Sequence, residues 1–356
     1  MYSIFSKNRT QLALLTGLWS IPLAQSGAAD LGDSLNISGF GTVSAAKSDS
    51  ATPVLLHRDI TDDWCFDCDT TLGLQLDWLA TSHLRTVVQV VKRPQDTFSS
   101  PELERALVEF AMNDHHLRVG RLRAPLFLMS QYYYVSSAYP WLRLPPEVYS
   151  NNLGLTHYDG VTVDLTLYSG DDVHVALSPY YALPEEREFE RYGQSYRLDT
   201  SRALGLSSDI FYGDNQLHVS YLNTKASQVG EGVGSAEHQI DLVSLGISHY
   251  FGQLHFQGEA MFAEQISSNW YAGFDYRFNQ ITPYIKYGQA RRSKVSDSYL
   301  VGVRYDWTPA INTSMEWQCI EGSKNVINGQ FTEAQNSTHS IDSKVSIISI
   351  GLSFTF

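Results

Sequence analysis

The last ten residues of the chain read Ile347-Ile348-Ser349-Ile350-Gly351-Leu352-Ser353-Phe354-Thr355-Phe356, and from Ile348 onward large apolar residues alternate with small or polar ones. Successive side chains of an extended strand point to opposite faces, so one face of this segment is apolar and the other is not. About ten residues is also the length with which a tilted strand crosses a lipid bilayer. The segment therefore predicts a membrane-spanning β-strand.

The same alternation recurs along the chain, most clearly over Trp270–Phe278 and Tyr299–Trp307. Polar residues spaced this regularly cannot all face a dry core, but they can face a wet lumen while the apolar set faces lipid. The sequence therefore predicts an all-β fold, a transmembrane antiparallel β-barrel of about 16 strands. The predicted strands lie near residues 35–47, 70–79, 84–93, 102–112, 116–123, 156–168, 172–182, 201–213, 216–226, 237–250, 253–264, 268–279, 281–291, 297–308, 310–320 and 342–356.

The fourth of these segments also fits an amphipathic helix, because Leu103, Leu107 and Phe110 recur at helical spacing. The connections between the segments favour a barrel, since short and long ones alternate. Short turns are predicted at 81–83, 113–115, 169–171, 214–215, 251–252, 279–280 and 309, and long loops at 48–69, 124–155, 183–200, 227–236 and 321–341. We expect the short turns at the periplasmic end of the barrel and the long loops at the outer end.

Aromatic residues gather where the predicted strands meet the short turns, as expected for residues that anchor a barrel at a membrane interface. Aromatic residues also favour strands in general, which is the alternative explanation. The residues concerned are Trp78, Tyr250, Phe251, Tyr276, Phe278, Tyr305, Trp307, Phe354 and Phe356.

Residues 1–29 have the pattern of a cleavable signal peptide, with Lys7 and Arg9 before an apolar run and small residues up to Ala28 and Ala29. An uncleaved anchor helix is the alternative, although the apolar run is short for one. Residues 30–356 show no break in composition, so they are predicted to form one barrel domain. Removal of the two basic residues would change the net charge from −13 to −15, which argues against nucleic acid as a partner.

Three cysteines are present. Cys65 and Cys68 form a C-x-x-C outside the predicted strands, and an exported protein favours a disulfide there over two free thiols. A redox site of the thioredoxin type lacks its βαβ context, and a metal site lacks two further ligands. Cys319 stands alone in the sequence.

Both ends of the mature chain resemble the gammaproteobacterial porin-like outer-membrane proteins. Ile37-Ser38-Gly39-Phe40-Gly41-Thr42-Val43 opens the first strand, and Phe354 and the terminal Phe356 close the last one. The stretch Val119–Leu126, continuing over Ala138–Arg143, is similar to a block of a porin-like subfamily. The resemblance implies a passive channel for small hydrophilic solutes or ions, without a cofactor, in the cell outer membrane. It also implies recognition of Phe354 and Phe356 by the barrel-assembly machinery, contact with outer-membrane lipid and lipopolysaccharide, and a homotrimer.

The segment 124–155 is the candidate constriction loop, because the resemblance implies that the third outer loop folds into the lumen. A loop folded over the rim or into a neighbouring subunit is the alternative. Its prolines and aromatic residues need a surface to pack on. Candidate pore residues are Arg121, Arg123, Arg143, Glu147, Tyr132, Tyr133 and Tyr134. A basic wall facing an acidic loop would order polar solutes, but Gly120 leaves the direction of Arg121 open, since a bulge there would reverse it.

The sequence contains no G-x-S-x-G, H-E-x-x-H or P-loop pattern, so an enzyme is not predicted. A non-conducting receptor or structural barrel, and an enzyme with a site on the barrel rim, are the competing interpretations.

Overall fold

A computed structural model describes residues 29–30, 34–94, 100–149, 156–170, 172–191, 194–230, 237–264, 267–291, 295–322, 330–331 and 342–356. The predicted signal peptide lies outside these residues up to position 28. Also outside the described residues are 150–155 of the candidate loop, 231–236 of the predicted loop 227–236, and most of the predicted loop 321–341.

The described residues form a closed antiparallel barrel of 16 strands, as predicted. The strands are β1 (Leu35–Ser48), β2 (Thr71–Thr81), β3 (Leu84–Lys92), β4 (Glu102–Met112), β5 (His115–Arg123), β6 (His157–Ser169), β7 (Val173–Ala182), β8 (Ala203–Tyr212), β9 (Asn215–Gly230), β10 (Glu237–Phe251), β11 (Leu254–Ala263), β12 (Ser267–Tyr276), β13 (Ile281–Ala290), β14 (Ser296–Thr308), β15 (Ile311–Gly322) and β16 (Lys344–Thr355).

Each strand pairs with the next, and the last pairs with the first. The seam between β16 and β1 runs from Ile347 opposite Ser48 to Thr355 opposite Phe40. Beyond it, Phe356 and Gly39 exchange two backbone hydrogen bonds of 2.9 and 3.0 Å. Closure leaves none of the 16 described barrel strands with an unpaired edge, which is what a sheet in hydrocarbon requires because lipid offers no hydrogen-bonding partners.

The two ends of the barrel differ, as the sequence predicts. At one end, here called the turn end, the strands are joined by connections of two to four residues, such as those before β3, β5 and β11. At the other end, called the loop end, a hairpin that the sequence did not predict interrupts the connection after β7. Its strands, Glu185–Arg191 and Gln194–Thr200, pair with each other, and the second also pairs with the extended end of β9. A two-residue strand, Ala29–Asp30, pairs with β1.

The ambiguous fourth segment is a strand with a bulge. The register between β3 and β4 shifts, since Gln89 lies opposite Arg105 but Val90 lies opposite Leu103. Glu104 is therefore the extra residue, and it explains why the apolar residues of β4 depart from strict alternation.

The outward face of the barrel is an apolar belt. Many large apolar side chains on this face are exposed in the isolated chain. An exposed apolar surface of this extent is typical of a surface that contacts lipid. The aromatic residues predicted to lie near the turn end do so, and Trp78, Phe251, Tyr276, Phe278 and Trp307 are exposed on the outward face there, whereas Tyr250 lies on the inward row opposite His255. The belt itself includes Val43, Leu74, Val119, Leu206, Val243, Leu245, Ile285, Val301, Met315, Ile348 and Ile350.

The inward face is mainly polar and mostly buried, because part of the chain folds into the lumen. That part, residues 124–149, contains two short 3-10 helices, Ser130–Tyr132 and Ser136–Ala138, and one helical turn, α1 (Pro146–Tyr149). No helix in the described part of the chain is long and apolar enough to cross a membrane.

Candidate functional site

The segment 124–149, named here the inner loop, leaves β5 and enters the barrel. Its partners are the inward-facing residues of the wall, which alternate with the exposed residues of the belt. Most of its side chains are buried, including Leu126, Phe127, Trp141 and Val148. They form one apolar cluster with inward-facing residues of the wall such as Leu242. The prolines and aromatic residues that made this stretch unusual as a surface loop therefore pack inside the barrel.

A carboxylate on β11 holds the first part of the inner loop. Glu259 accepts hydrogen bonds from the Leu128 backbone N–H at 2.9 Å, from the Tyr271 hydroxyl at 2.7 Å, and from the Tyr149 hydroxyl. Tyr149 in turn accepts one from the Met129 N–H at 2.8 Å. One buried carboxylate thus ties both ends of the inner loop to a single strand.

A second carboxylate holds the middle of the loop in the same way. Glu316 on β15 accepts hydrogen bonds from the Leu142 N–H at 2.6 Å and from the Tyr284 hydroxyl at 3.0 Å. Nearby, the Arg304 guanidinium on β14 donates to the carbonyls of Ser137 and Tyr139 at 3.0 and 3.1 Å. The wall therefore supplies both acceptors and donors to the loop backbone, which has little regular hydrogen bonding of its own.

Arg143 is an anchor of the loop and has only 2% of its surface exposed. Its guanidinium meets the Asp69 carboxylate at 3.1 and 2.7 Å and donates to Gln318 at 3.1 Å and to Ser349. Arg58 binds the same carboxylate at 2.7 Å. Burial alone would raise the pKa of Asp69, but the charges of Arg143 and Arg58 hold it below its ordinary value.

Glu147 is also an anchor and is completely buried. Its carboxylate accepts a hydrogen bond from Ser298 and lies 3.9 Å from the Lys286 ammonium. Its carbonyl accepts one from Asn269 at 2.9 Å. The sequence-based expectation named Arg143 and Glu147 as residues of the pore constriction. The structure places both against the wall, because each finds its counter-charge there.

Three inward-facing glycines let the loop approach the wall. A Cβ at Gly273 would overlap the Trp141 ring, one at Gly288 would overlap the Glu147 carboxylate, and one at Gly351 would overlap Leu142. The large side chains of the loop therefore seat where the wall has none.

The three consecutive tyrosines of the loop have different surroundings. Tyr134 is buried with Phe40 and Val91, and the Arg123 guanidinium carbon lies 5.0 Å from its ring centroid. The Tyr133 hydroxyl donates to the Tyr149 carbonyl at 2.8 Å. Tyr132 is half-buried, and burial raises its pKa to about 12 although the charge of Arg105 opposes the shift. Of these three candidate pore residues, Tyr134 is occupied by packing, Tyr133 is partly so, and Tyr132 is the most accessible to its surroundings on the basic wall.

Residues 131–133 of the loop are half-buried and face a basic stretch of wall on β3 to β5. Arg105 donates to Gln131 of the loop. The other arginines are paired with acids: Arg85 with Asp77, Arg118 with Asp164, and Arg123 with Glu104, the last at 2.9 Å. Charges of both signs therefore line this side of the lumen.

Arg121 lies apart from this set, in contrast to the prediction. It occupies the register row of Val88 and Ala106, which faces outward, and it pairs with Asp159 at 2.8 and 2.9 Å. Gly120 before it has a φ of 126° and continues the inward row of Leu107. No side-chain reversal follows the glycine, so Arg121 stays on the outer face.

The remaining predicted residues lie away from the inner loop. Cys65 and Cys68 form a disulfide, with Cα atoms 5.7 Å apart, in the loop between β1 and β2. Asp69, the partner of Arg143, directly follows Cys68 in the chain. The sequence analysis did not identify Asp69 as a candidate residue. Phe354 and Phe356 lie at the barrel seam, where their rings cover Gly41 and Gly39.

A closed 16-strand barrel with an apolar belt and a long segment folded into its lumen defines the porin class of folds. The chain has this fold. It resembles OmpF of Salmonella typhi, solved with daunomycin, at 10% identity and a TM-score of 0.62, over 90% of this chain and 97% of that one. It resembles the anion-selective porin of Comamonas acidovorans at 12% identity and 0.61, over 91% and 99%.

The outer membrane channel DcaP of Acinetobacter baumannii gives a TM-score of 0.60 at 12% identity, over 94% of this chain and 99% of that one. The chain matches no protein-family model and no curated protein. The likeness therefore lies in the fold, and identities this low carry no information about the solute.

Proposed function

We propose that the protein is an outer-membrane porin, a passive diffusion channel for small hydrophilic solutes or ions, without enzymatic activity. The observation that carries the proposal is the inner loop, because a barrel that served only as an anchor would not need a segment held inside it by two buried carboxylates. The apolar belt fits a membrane position, and the porin fold fits a channel. A homotrimer, lipopolysaccharide contact and recognition of Phe354 and Phe356 by the barrel-assembly machinery belong to the same proposal.

The constriction in this proposal lies between residues 131–133 of the inner loop and the basic wall. Arg85, Arg105 and Arg118 lie on one side, with Tyr132 on the other. Arg143, Glu147 and Arg123 hold the loop and set its position, and so control the pore indirectly. Paired charges on a narrow wall favour small polar solutes over apolar ones.

Planar-bilayer conductance tests the proposal. The wild-type protein should give stepwise openings. A Glu259→Ala/Glu316→Ala variant, which releases the loop backbone at Leu128 and Leu142, should give larger openings and pass larger neutral polymers. Asn312→Ala is the matched control, since Asn312 faces inward on the same strand as Glu316 but lies near the turn end. Openings of the same size in the anchor variant would refute the constriction.

A non-conducting barrel is the second candidate function, and one observation favours it. The inner loop and the inward side chains of β9 to β16 are buried together, so little solvent lies between them. A folded wild-type barrel without openings, in which the anchor variant opens, would support this candidate.

A further inference from the structure

The turn-end half of the lumen carries an arc of four histidines, one of which, His218, is buried beside the inner loop and its anchor Glu259. His116, His174, His218 and His255 lie on β5, β7, β9 and β11, every second strand. Each lies within the first four residues of its strand and in register with inward-facing neighbours. Alternate strands are about 10 Å apart, so the four imidazoles follow the wall around a large part of its circumference.

Three of the four face carboxylates. His218 Nδ1 lies 2.8 Å from Asp209 on β8, and His255 Nδ1 lies 2.7 Å from Asp275 on β12. His116 Nδ1 lies 3.6 Å from Glu109 on β4. A protonated imidazole at each of these three positions would therefore have a carboxylate as its neighbour.

Further charged, aromatic and uncharged residues on the adjacent strands face the four histidines. His116 lies opposite Asp164 on β6, and Glu259 on β11 acts electrostatically on His218. The His255 ring stacks on Tyr250 of β10 at 4.2 Å. His174 lies opposite Phe211 on β8 and Ser169 on β6, which carry no charge.

The fixed charges of this half of the lumen are nearly balanced. Among the described residues, we count eight inward carboxylates and five cationic side chains within six residues of the turn end or directly beside it, a net charge of −3 with neutral imidazoles and of +1 with four protonated ones. The carboxylates are Asp77, Glu109, Asp164, Asp209, Glu259, Asp275, Asp306 and Glu316, and the cations are Arg85, Arg118, Arg277, Lys286 and Arg304.

We propose that this histidine arc determines the ion selectivity of the channel and changes it from cations at neutral pH to anions at mildly acidic pH. The inference rests on the proposed channel function. The charge that lines a pore attracts counter-ions, and four imidazoles are enough to reverse its sign here. The arc lies near the turn end of the barrel, within the first four residues of its strands.

The test is the reversal potential under a potassium chloride gradient, measured between about pH 8 and about pH 5, where ordinary carboxylates stay ionised. The wild-type ratio of potassium to chloride permeability should fall several-fold over this range. A His116→Gln/His174→Gln/His218→Gln/His255→Gln variant should keep its high-pH ratio throughout. Low salt is needed, because the screening length is about 10 Å at 0.1 M.

His249→Gln is the matched control. His249 lies at the same end of β10 but is paired with Phe256 on the outer face, so its loss should leave the wild-type pH response intact. If the fourfold variant misfolds, the pair His218→Gln/His255→Gln should remove part of the response. A fourfold variant with the full wild-type response would overturn the inference, whereas a folded wild type without openings at any pH would overturn the channel function itself.

Discussion

Gly273 shows how one missing side chain sets the distance between the inner loop and the wall. The Trp141 ring occupies the space that a Cβ at this position would take. Gly273→Ala should therefore force the ring away and lower the free energy of unfolding by about 1–3 kcal/mol, as overpacking does. Denaturant unfolding in lipid vesicles measures the loss. In a Trp141→Ala background the same substitution should cost much less, and equal costs in both backgrounds would contradict the contact.

Asp69 predicts a pH dependence at the level of one ion pair. Its folded pKa lies below the ordinary 3.8, so its pairing with Arg143 and Arg58 stabilises the folded protein above that value. The contribution is lost as pH falls through the lower, folded pKa. Asp69→Asn should lose about 3–5 kcal/mol at neutral pH, because it leaves buried guanidinium groups without a counter-charge.

Thermal unfolding of both proteins from neutral to strongly acidic pH checks this prediction. The gap in stability between wild type and Asp69→Asn should stay constant down to about pH 5 and close below about pH 3.8. A gap that is independent of pH down to strong acid would mean that the carboxylate charge does not hold Arg143.

The disulfide-closed loop between β1 and β2 is linked to the inner loop, because Cys68 is followed directly by Asp69. A Cys65→Ser/Cys68→Ser variant should lose roughly 2 kcal/mol of stability, the value of the chain-entropy model for so short a closed loop. A reductant should have the same effect on the wild type. Cys319→Ser is the control, because it keeps the Cys65–Cys68 disulfide and should therefore lose as much stability as the wild type when the reductant is added.

At the scale of elements, the sequence predicted the strands because each must present alternate residues to lipid and to the lumen. Outside the bilayer a strand does not need this alternation. The hairpin Glu185–Thr200 was therefore not predicted, because its segment is rich in charge and shows no apolar face in the sequence. The bulge at Glu104 made the fourth segment ambiguous between strand and helix, because it breaks the alternation on which the strand prediction depends.

The partners of the inner loop could not be predicted from the sequence. Strand alternation puts Glu259 and Glu316 on the inward face, but it gives every inward carboxylate the same signal. Which of them meets the loop depends on the path of the loop through the lumen. The same limit explains Arg143 and Glu147, whose charges suggested a pore but whose counter-charges lie on Asp69 and Lys286.

At the scale of the whole molecule, the apolar belt predicts how substitutions depend on depth. Leu245 faces outward near mid-height of β10 and is 48% exposed in the isolated chain. Leu245→Arg should destabilise the barrel in phospholipid vesicles by about 2–4 kcal/mol. His249→Arg, on the same face near the turn end, should cost about 0–1 kcal/mol. Equal costs at both positions would argue against a bilayer around this belt.

The inner loop precedes in the chain most of the wall that holds it. Its backbone contacts with Glu259 and Glu316 span 131 and 174 residues, and the bond from Arg143 to Ser349 spans 206. Contacts this distant in sequence form slowly, because the intervening chain must be ordered first. The loop can make its full set of contacts only once β16, which carries Ser349, is in place. Maturation of the lumen therefore cannot be completed before the last strand is added, and a barrel interrupted earlier would have an unfinished interior.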